Sequence, residues 1–120
     1  MTGYKWMIAD AFYDSHSNGL YPSHESVCVL NTGNRDAVIH MTLYFEDREP
    51  LVGFVAECKA RRTHHIRMDK LKSMSGEGVP TDVPYAILVE CDLKIAVQYT
   101  RLDTAQAEMA LMTAIAQPIG

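Results

Sequence analysis

Cysteines are few in this 120-residue sequence, and long apolar runs are absent from it. Cys28, Cys58 and Cys91 lie far apart without a Cys-x-x-Cys pair, so we expect reduced, mostly buried thiols and no disulfide framework or zinc site. No apolar run approaches the roughly 18 residues of a membrane-spanning helix. The start, "MTGYKWMIADAFYD", lacks the apolar core of a signal peptide. These absences together predict a cytoplasmic protein.

Catalytic and cofactor motifs are missing as well. There is no Gly-x-Ser-x-Gly sequence and no obvious nucleophile beside a base. Gly33, Gly53 and Gly76 are isolated turn residues, so none belongs to a phosphate-binding loop. The sequence therefore predicts a protein that is not an enzyme and has no cofactor. Its net charge of -4 and its pI of about 5.6 argue against a wholly basic nucleic-acid-binding face, although they permit a local basic patch.

Alternation with a period of two is the main pattern that is present. In "VIHMTLYFE", residues 38–46, apolar and polar side chains alternate, and Lys94 to Arg101 repeats the pattern. Weaker strands are predicted at Lys5 to Ala9, Val27 to Asn31, Leu51 to Cys58, Arg61 to Met68 and Tyr85 to Cys91. Turn-rich pieces separate these strands, and no linker divides the chain. We expect a single all-β domain over residues 1–120, a β-sandwich or jelly roll.

The C-terminal segment "DTAQAEMALMTAIAQP" is ambiguous between helix and strand. Its Ala, Met, Leu and Glu content favours a helix that Asp103 or Thr104 could cap. Met109, Leu111, Thr113 and Ile115 nevertheless alternate. We predict a helical turn near Ala105 to Glu108 and then a final strand, which could pair with a neighbouring subunit if it is exposed.

The segment "ARRTHHIRM", residues 60–68, concentrates five basic side chains in an acidic chain. On a strand, Ile66 and Met68 would face the core, and the set Arg61, Thr63, His65 and Arg67 would form an outward polar row. One interpretation is a solvated face balanced by Glu46, Asp47 or Glu57. Another is a recognition platform for carboxylates, sugar hydroxyls or phosphates. Metal binding is disfavoured, since the adjacent His64 and His65 would point to opposite faces.

Other polar residues stand at predicted strand ends. His24 and Glu25 could present an imidazole and a carboxylate to a ligand, or Glu25 could pair with Arg62 or Arg101. Gln98 and Thr100 lie on an outward face, where amide and hydroxyl groups suit sugar recognition. Trp6 could be an aromatic platform for a sugar ring, but a core position is the commoner role of a tryptophan.

Four pieces of the sequence carry a family resemblance: "SHESVCVLN", "YFEDREP", "ARRTHHIR" and "VQYTRLDTAQAEMALMTAIA". In this order and spacing they resemble the small sensory rhodopsin transducer family over roughly residues 6–116. The family's polar motif residues fall on His24, Glu25, Asn31, Arg61, Arg62, Thr63, His65, Arg67, Gln98, Thr100, Arg101 and Asp103. The loops "FYDSHSNGLYP" and "SMSGEGVPTDVP" depart from the family's pattern, and such loops usually decide what is bound.

The resemblance implies a β-sandwich similar to carbohydrate-binding modules, assembled into a homotetramer. It implies a binding and signalling protein whose ligand is a small polar molecule such as a sugar or sugar acid. The alternatives are a direct transducer of a membrane rhodopsin that also binds DNA, and a sugar-modifying enzyme. The candidate ligand-binding residues are His24, Glu25, Arg61, Arg62, His65, Arg67, Gln98 and Arg101, although Arg61 and Arg62 would face opposite ways on a regular strand.

Overall fold

The computed structural model describes residues 3–106 and 108–119. These residues form nine β-strands and one short 3-10 helix, Met68–Lys70. In chain order the strands are β1 Tyr4–Phe12, β2 His24–Asn31, β3 Ala37–Phe45, β4 Leu51–Cys58, β5 Arg62–Arg67, β6 Pro84–Cys91, β7 Ala96–Asp103, β8 Ala110–Ile115 and β9 Gln117–Ile119. No helix in this part of the chain is long and apolar enough to cross a membrane.

Two antiparallel sheets pack face to face, which confirms the predicted all-β sandwich. One sheet has the strand order β4-β3-β6-β1-β9 and the other has the order β5-β2-β7-β8. The chain passes repeatedly from one sheet to the other, as in a jelly roll. This interleaving brings the end of β1, the start of β2 and the end of β7 to one end of the sandwich, where the candidate site lies.

The core between the sheets follows the predicted alternation. Ile39, Met41 and Leu43 of β3 are buried, and so are Val97 and Tyr99 of β7. Each inward side chain sits opposite the other sheet, while its neighbours in sequence point to solvent. All three cysteines carry free thiols; two are buried and Cys28 is half-buried, as expected.

Trp6 belongs to the core as well. It is 6% exposed, and its ring stacks on that of Tyr4 with 6.4 Å between the ring centroids. A side chain this buried offers little surface to a sugar ring, so the structure supports the core interpretation and not the platform.

The C-terminal segment differs in part from the prediction. Residues 105, 106 and 108 form bends and not a helical turn, whereas Ala107 lies outside the described residues. The final strand is confirmed, since β8 pairs with β7 in the second sheet. The chain then crosses to the first sheet, where β9 pairs with β1. The segment forms strands despite its helix propensity, because the open edges of β7 and β1 each provide backbone groups that can hydrogen-bond to it.

Candidate functional site

An open cleft of about 290 Å³ lies at one end of the sandwich. Antiparallel pairing creates it, because β2 begins where β7 ends: His24 is opposite Leu102, and Glu25 is opposite Arg101. The end of β1 and the following loop form the other wall. The lining residues are Asp10, Phe12, Asp14, His24, Arg101, Leu102 and Asp103. Two of the predicted binding residues, His24 and Arg101, therefore meet in one cleft.

Polar groups in this cleft are arranged to both donate and accept hydrogen bonds. Arg101 lies 4.0 Å from the Asp10 carboxylate and retains 24% side-chain exposure. His24 Nδ1 lies 3.0 Å from the Pro22 carbonyl oxygen, to which it donates, so Nε2 is the ring nitrogen left for a ligand. Three aspartates against one arginine give the cleft a negative balance. Such a lining suits an uncharged, hydroxyl-rich ligand better than an anion.

A buried hydrogen-bond network fixes the rim of the cleft. Ser23 Oγ lies 2.7 Å from the His16 carbonyl oxygen, to which it donates, and accepts a hydrogen bond from the Thr104 N–H at 2.9 Å. Thr104 Oγ1 donates to the Tyr21 carbonyl at 2.8 Å. Asp103 accepts a bond from the Ala105 N–H at 2.9 Å, which forms an Asx turn at the bend after β7 and not the expected helix cap. The long loop between β1 and β2 is thus tied to the end of β7.

Glu25 lies behind the cleft and not in its lining. Its side chain is fully buried, and both carboxylate oxygens accept hydrogen bonds, one from the Tyr85 hydroxyl and one from the Tyr99 hydroxyl. The Phe12 N–H in turn donates to Tyr99 Oη at 3.2 Å. Among the described residues no ion pair with Arg62 or Arg101 is formed, so the expected salt bridge was wrong. Strand alternation turned His24 outward and Glu25 inward.

The pKa values of Glu25, Tyr85 and Tyr99 are all raised in this environment. Burial raises the pKa of the Glu25 carboxyl, although the hydrogen bonds from Tyr85 and Tyr99 oppose that rise. Burial, and next the Glu25 charge, raise the pKa of both tyrosines, so their hydroxyls remain donors. The group is built to hold a carboxyl inside the sandwich, away from any ligand.

The stability difference between the wild type and a Glu25→Gln variant is expected to change with pH. The folded protein holds the Glu25 proton above the ordinary pKa of 4.5. The stability that this retained proton gives is therefore fully present below that value and is lost as the pH rises through the raised pKa. Glutamine has no titrating proton in this range. The stability of the variant should therefore rise relative to that of the wild type as the pH increases from 4.5 through the raised pKa of Glu25. Denaturant unfolding from about pH 4 to about pH 8 measures the difference.

Glu49→Gln, at an exposed loop position, is the matched control for this experiment. Groups with lowered pKa, such as Asp69 beside Arg67, are common to every variant and cancel from the comparison. A difference between Glu25→Gln and wild type that stays constant over the whole pH range would contradict the raised pKa.

The basic segment is only partly the cationic row that alternation predicted. Ile66 and Met68 are buried, as expected. Arg61 lies outside β5, in a turn with φ of 55°, so it is not on the predicted strand. Arg67 is held by Asp69 through two hydrogen bonds, Nε to Oδ1 at 2.7 Å and Nη2 to Oδ2 at 2.8 Å. The balancing acid is therefore Asp69 and none of the three carboxylates considered from the sequence.

The outer face of the second sheet brings two further candidates into one row. His65 of β5 is opposite Cys28 of β2, which is opposite Gln98 of β7. His65 and Gln98 are both exposed. His64 points elsewhere, with Nδ1 2.7 Å from the Glu57 carbonyl oxygen. The eight candidates thus divide into His24 and Arg101 in the cleft, His65 and Gln98 in this row, the buried Glu25, Arg61 and Arg62 at the start of β5, and Arg67 at its end, paired with Asp69.

Comparison with known proteins agrees with the fold and with the sequence motifs. The model of the Anabaena sensory rhodopsin transducer family matches residues 2–118. The chain belongs to this family. The crystal structure of Thermotoga maritima 1070 is similar at 35% identity and a TM-score of 0.84, covering 96% of this chain and 93% of that one. No curated protein gives a match.

The Anabaena sensory rhodopsin transducer itself is similar at 33% identity and a TM-score of 0.72. That match covers 83% of this chain and 97% of the transducer chain. The resemblance inferred from the four sequence pieces is therefore confirmed.

Two of the family's polar motif positions have structural roles in this transducer-family chain. Asn31 is buried, and its amide nitrogen donates to the carbonyl oxygens of Arg35 at 2.8 Å and Cys58 at 3.2 Å. Thr63 Oγ1 donates to the Val29 carbonyl at 3.0 Å. Such side chains hold loops and strands together, so a polar position in the family motif need not touch a ligand.

Sequence reasoning missed several residues of the site. Asp10 and Asp14 line the cleft, and Tyr85 and Tyr99 hold Glu25. A signal existed for the tyrosines, since each occupies an inward position of its strand as Glu25 does. The sequence held no such signal for the aspartates, because the path of the end of β1 places Asp10 at the cleft and the path of the β1–β2 loop places Asp14 there.

Proposed function

We propose that this transducer-family chain is a non-enzymatic, cytoplasmic binding and signalling protein that recognises a small uncharged polyol or sugar. The carrying observation is the cleft in which His24 and Arg101 face three aspartates. Its volume of about 290 Å³ is at the lower end of small-molecule sites. Sugar hydroxyls act as both donors and acceptors, which matches a lining of carboxylates, a guanidinium and an imidazole. The negative balance favours a neutral sugar over a sugar acid.

Binding rather than catalysis is supported by the state of Glu25. An acid–base reaction needs a titrating group within hydrogen-bond reach of the substrate. Both Glu25 oxygens are occupied by tyrosine hydroxyls, and the side chain is fully buried. The aspartates beside His24 are solvent-exposed or hydrogen-bonded within turns. The cleft therefore offers groups that can bind hydroxyls but no buried group that could act as a catalytic base.

Assembly as a homotetramer is part of the proposal. Strand β8 lies at the end of its sheet, and within the described residues only β7 pairs with it. Leu111 is 69% exposed and Ile115 is 80% exposed on this strand. An open edge with apolar side chains is a surface that a second subunit would cover. Ligand binding at the cleft would be relayed through such contacts to a partner.

A second candidate function is direct transduction from a membrane rhodopsin, which the family name suggests, together with contact to DNA. Arg61 and Arg62 are exposed at one end of β5 and could contact phosphates. The Arg67–Asp69 pair and the net charge of -4 weaken this candidate, because phosphate binding rests on unpaired cations.

Neutral sugars and polyols are expected to raise the melting temperature of the wild type in a thermal-shift screen. A ligand at a hundred times its dissociation constant adds about 2.7 kcal/mol to the free energy of unfolding. His24→Gln should weaken that ligand about tenfold, since it removes one imidazole hydrogen bond in the cleft. His65→Gln is the matched control, since it makes the same replacement in the outer row of the same sheet.

The screen distinguishes the candidates by their patterns. Sugar acids and short DNA are included beside the neutral sugars. If His65→Gln abolishes binding and His24→Gln retains it, the ligand binds at the outer row of His65 and Gln98, and the proposed cleft site is wrong. A response to DNA alone, weakening steeply with salt, would favour the second candidate.

A further inference from the structure

Three metal-ligating side chains from two distant parts of the chain converge beside the cleft. Asp14 and His16 belong to the β1–β2 loop, and Asp82 lies just before β6. His16 Nδ1 is 3.0 Å from Asp14 Oδ1 and 3.9 Å from Asp82 Oδ1. One ligand atom from each residue lies within 4.8 Å of the others. Among the described residues, these three are the histidine, cysteine or acidic side chains whose ligand atoms lie this close together.

These separations are close to those around a bound ion. Ligand atoms about 2.1 Å from a metal stand about 3.0 Å apart in octahedral geometry and about 3.4 Å apart in tetrahedral geometry. The 3.0 Å spacing is in this range, the 3.9 Å spacing is about 0.5 Å beyond it, and the Asp14 and Asp82 ligand atoms lie within 4.8 Å of each other. A bound ion would draw His16 Nδ1 and Asp82 Oδ1 together by about 0.5–0.9 Å.

Hydrogen bonds outside the three ligands hold them in place. Ser15 donates to both oxygens of Asp82, through its N–H at 2.9 Å and its hydroxyl at 2.5 Å. The Asp82 N–H donates to the Tyr13 carbonyl at 2.8 Å. Ser23 Oγ fixes the His16 carbonyl at 2.7 Å. Supporting bonds of this kind orient the ligands of metal sites.

We propose that Asp14, His16 and Asp82 bind a divalent first-row transition-metal ion such as Mn²⁺, Co²⁺ or Zn²⁺. An imidazole with two carboxylates suits these ions better than Mg²⁺ or Ca²⁺, which prefer oxygen ligands alone. The ion would cross-link the β1–β2 loop to the segment before β6. Because Asp14 also lines the cleft, the ion would stand at the cleft's rim with water in its open positions.

An ion pair between His16 and Asp14 is the competing explanation of the cluster. It accounts for the 3.0 Å contact, and the 3.9 Å contact extends it to Asp82, whose oxygens also accept two bonds from Ser15. The two explanations differ in the effect of Asp82. Asp82→Asn leaves the 3.0 Å contact between His16 and Asp14 in place but replaces a carboxylate ligand by a weaker, neutral amide oxygen.

Titration of the wild type with Co²⁺, Mn²⁺ or Zn²⁺ should show one ion bound per chain by calorimetry, with a Co²⁺ absorption band and a raised melting temperature. Mg²⁺ and Ca²⁺ should bind more weakly. Asp82→Asn and His16→Gln should each weaken binding by at least about tenfold. Asparagine tolerates the φ of 62° at position 82 and still accepts one of the two hydrogen bonds from Ser15. Circular dichroism checks its folding.

His40→Gln is the control, since it removes an exposed imidazole from β3, on the outer face of the first sheet and outside the proposed site. It should bind the ions as the wild type does. The thiols are unchanged in all variants, so binding at cysteine would appear equally in each. Equal binding by wild type, Asp82→Asn and His16→Gln would overturn the proposal, and so would the absence of binding to wild type at millimolar metal.

Discussion

Replacing Asn31 by aspartate is expected to lower the free energy of unfolding by about 3 kcal/mol. The Asn31 amide nitrogen donates to carbonyl oxygens on both sides: Arg35 in the β2–β3 loop, and Cys58 and Lys59 at the end of β4. An aspartate has the same shape, so no cavity forms, but its carboxylate would face those carbonyls without a hydrogen to donate. Denaturant unfolding at neutral pH measures the loss.

The deficit of Asn31→Asp should shrink in acid, because a protonated carboxyl regains one donor. Asn34→Asp is the control, since Asn34 is exposed in the same loop and gains the same charge. We expect the control to change stability by less than about 0.5 kcal/mol. Similar losses in the two variants would show that charge in this loop, and not the lost donors, sets the effect.

Tyr99→Phe is expected to lower the free energy of unfolding by about 1–3 kcal/mol, and Tyr85→Phe by less within the same range. Each change removes a hydroxyl that donates to the buried Glu25. Tyr99 Oη also accepts from the Phe12 N–H, so its loss leaves a second group unpaired. Both aromatic rings remain, so the packing of the core is preserved. Chemical denaturation of the two variants gives the comparison.

Tyr44→Phe, which removes an exposed hydroxyl on the outer face of the first sheet, should leave stability nearly unchanged. The double variant Tyr85→Phe, Tyr99→Phe should differ from the sum of the single changes, since both tyrosines bond the same carboxylate. Additive losses, or a greater loss for Tyr85→Phe, would contradict the shared role assigned to Glu25.

The fold was predictable from sequence because strand alternation is a local signal. The patterns of residues 38–46 and 94–101 gave the inward side chains correctly, since one face of each strand must meet the opposite sheet. The bends after β7 escaped prediction. Local composition there favours a helix, whereas the open edges of β7 and β1 capture the chain as β8 and β9.

The candidate site was less predictable. His24 and Arg101 were proposed from their types and positions, and the structure places both in the cleft. Glu25 was proposed for the same reason, yet it is turned inward and held by tyrosines from two strands. Its neighbour His24 is one position away on the same strand, and successive side chains of a strand point to opposite faces, one to solvent and one to the core.

The sequence by itself determined the β-sandwich class, the family and the inward face of the main strands, because each depends on patterns within a strand or on ordered motifs. Only the tertiary structure decided which polar residues meet. Asp10 and Asp14 line one cleft with Arg101, which is far from them in the chain, and Tyr85 and Tyr99 reach Glu25 from two distant strands. Alternation assigns a side chain to a face, but strand order and loop paths assign its neighbours.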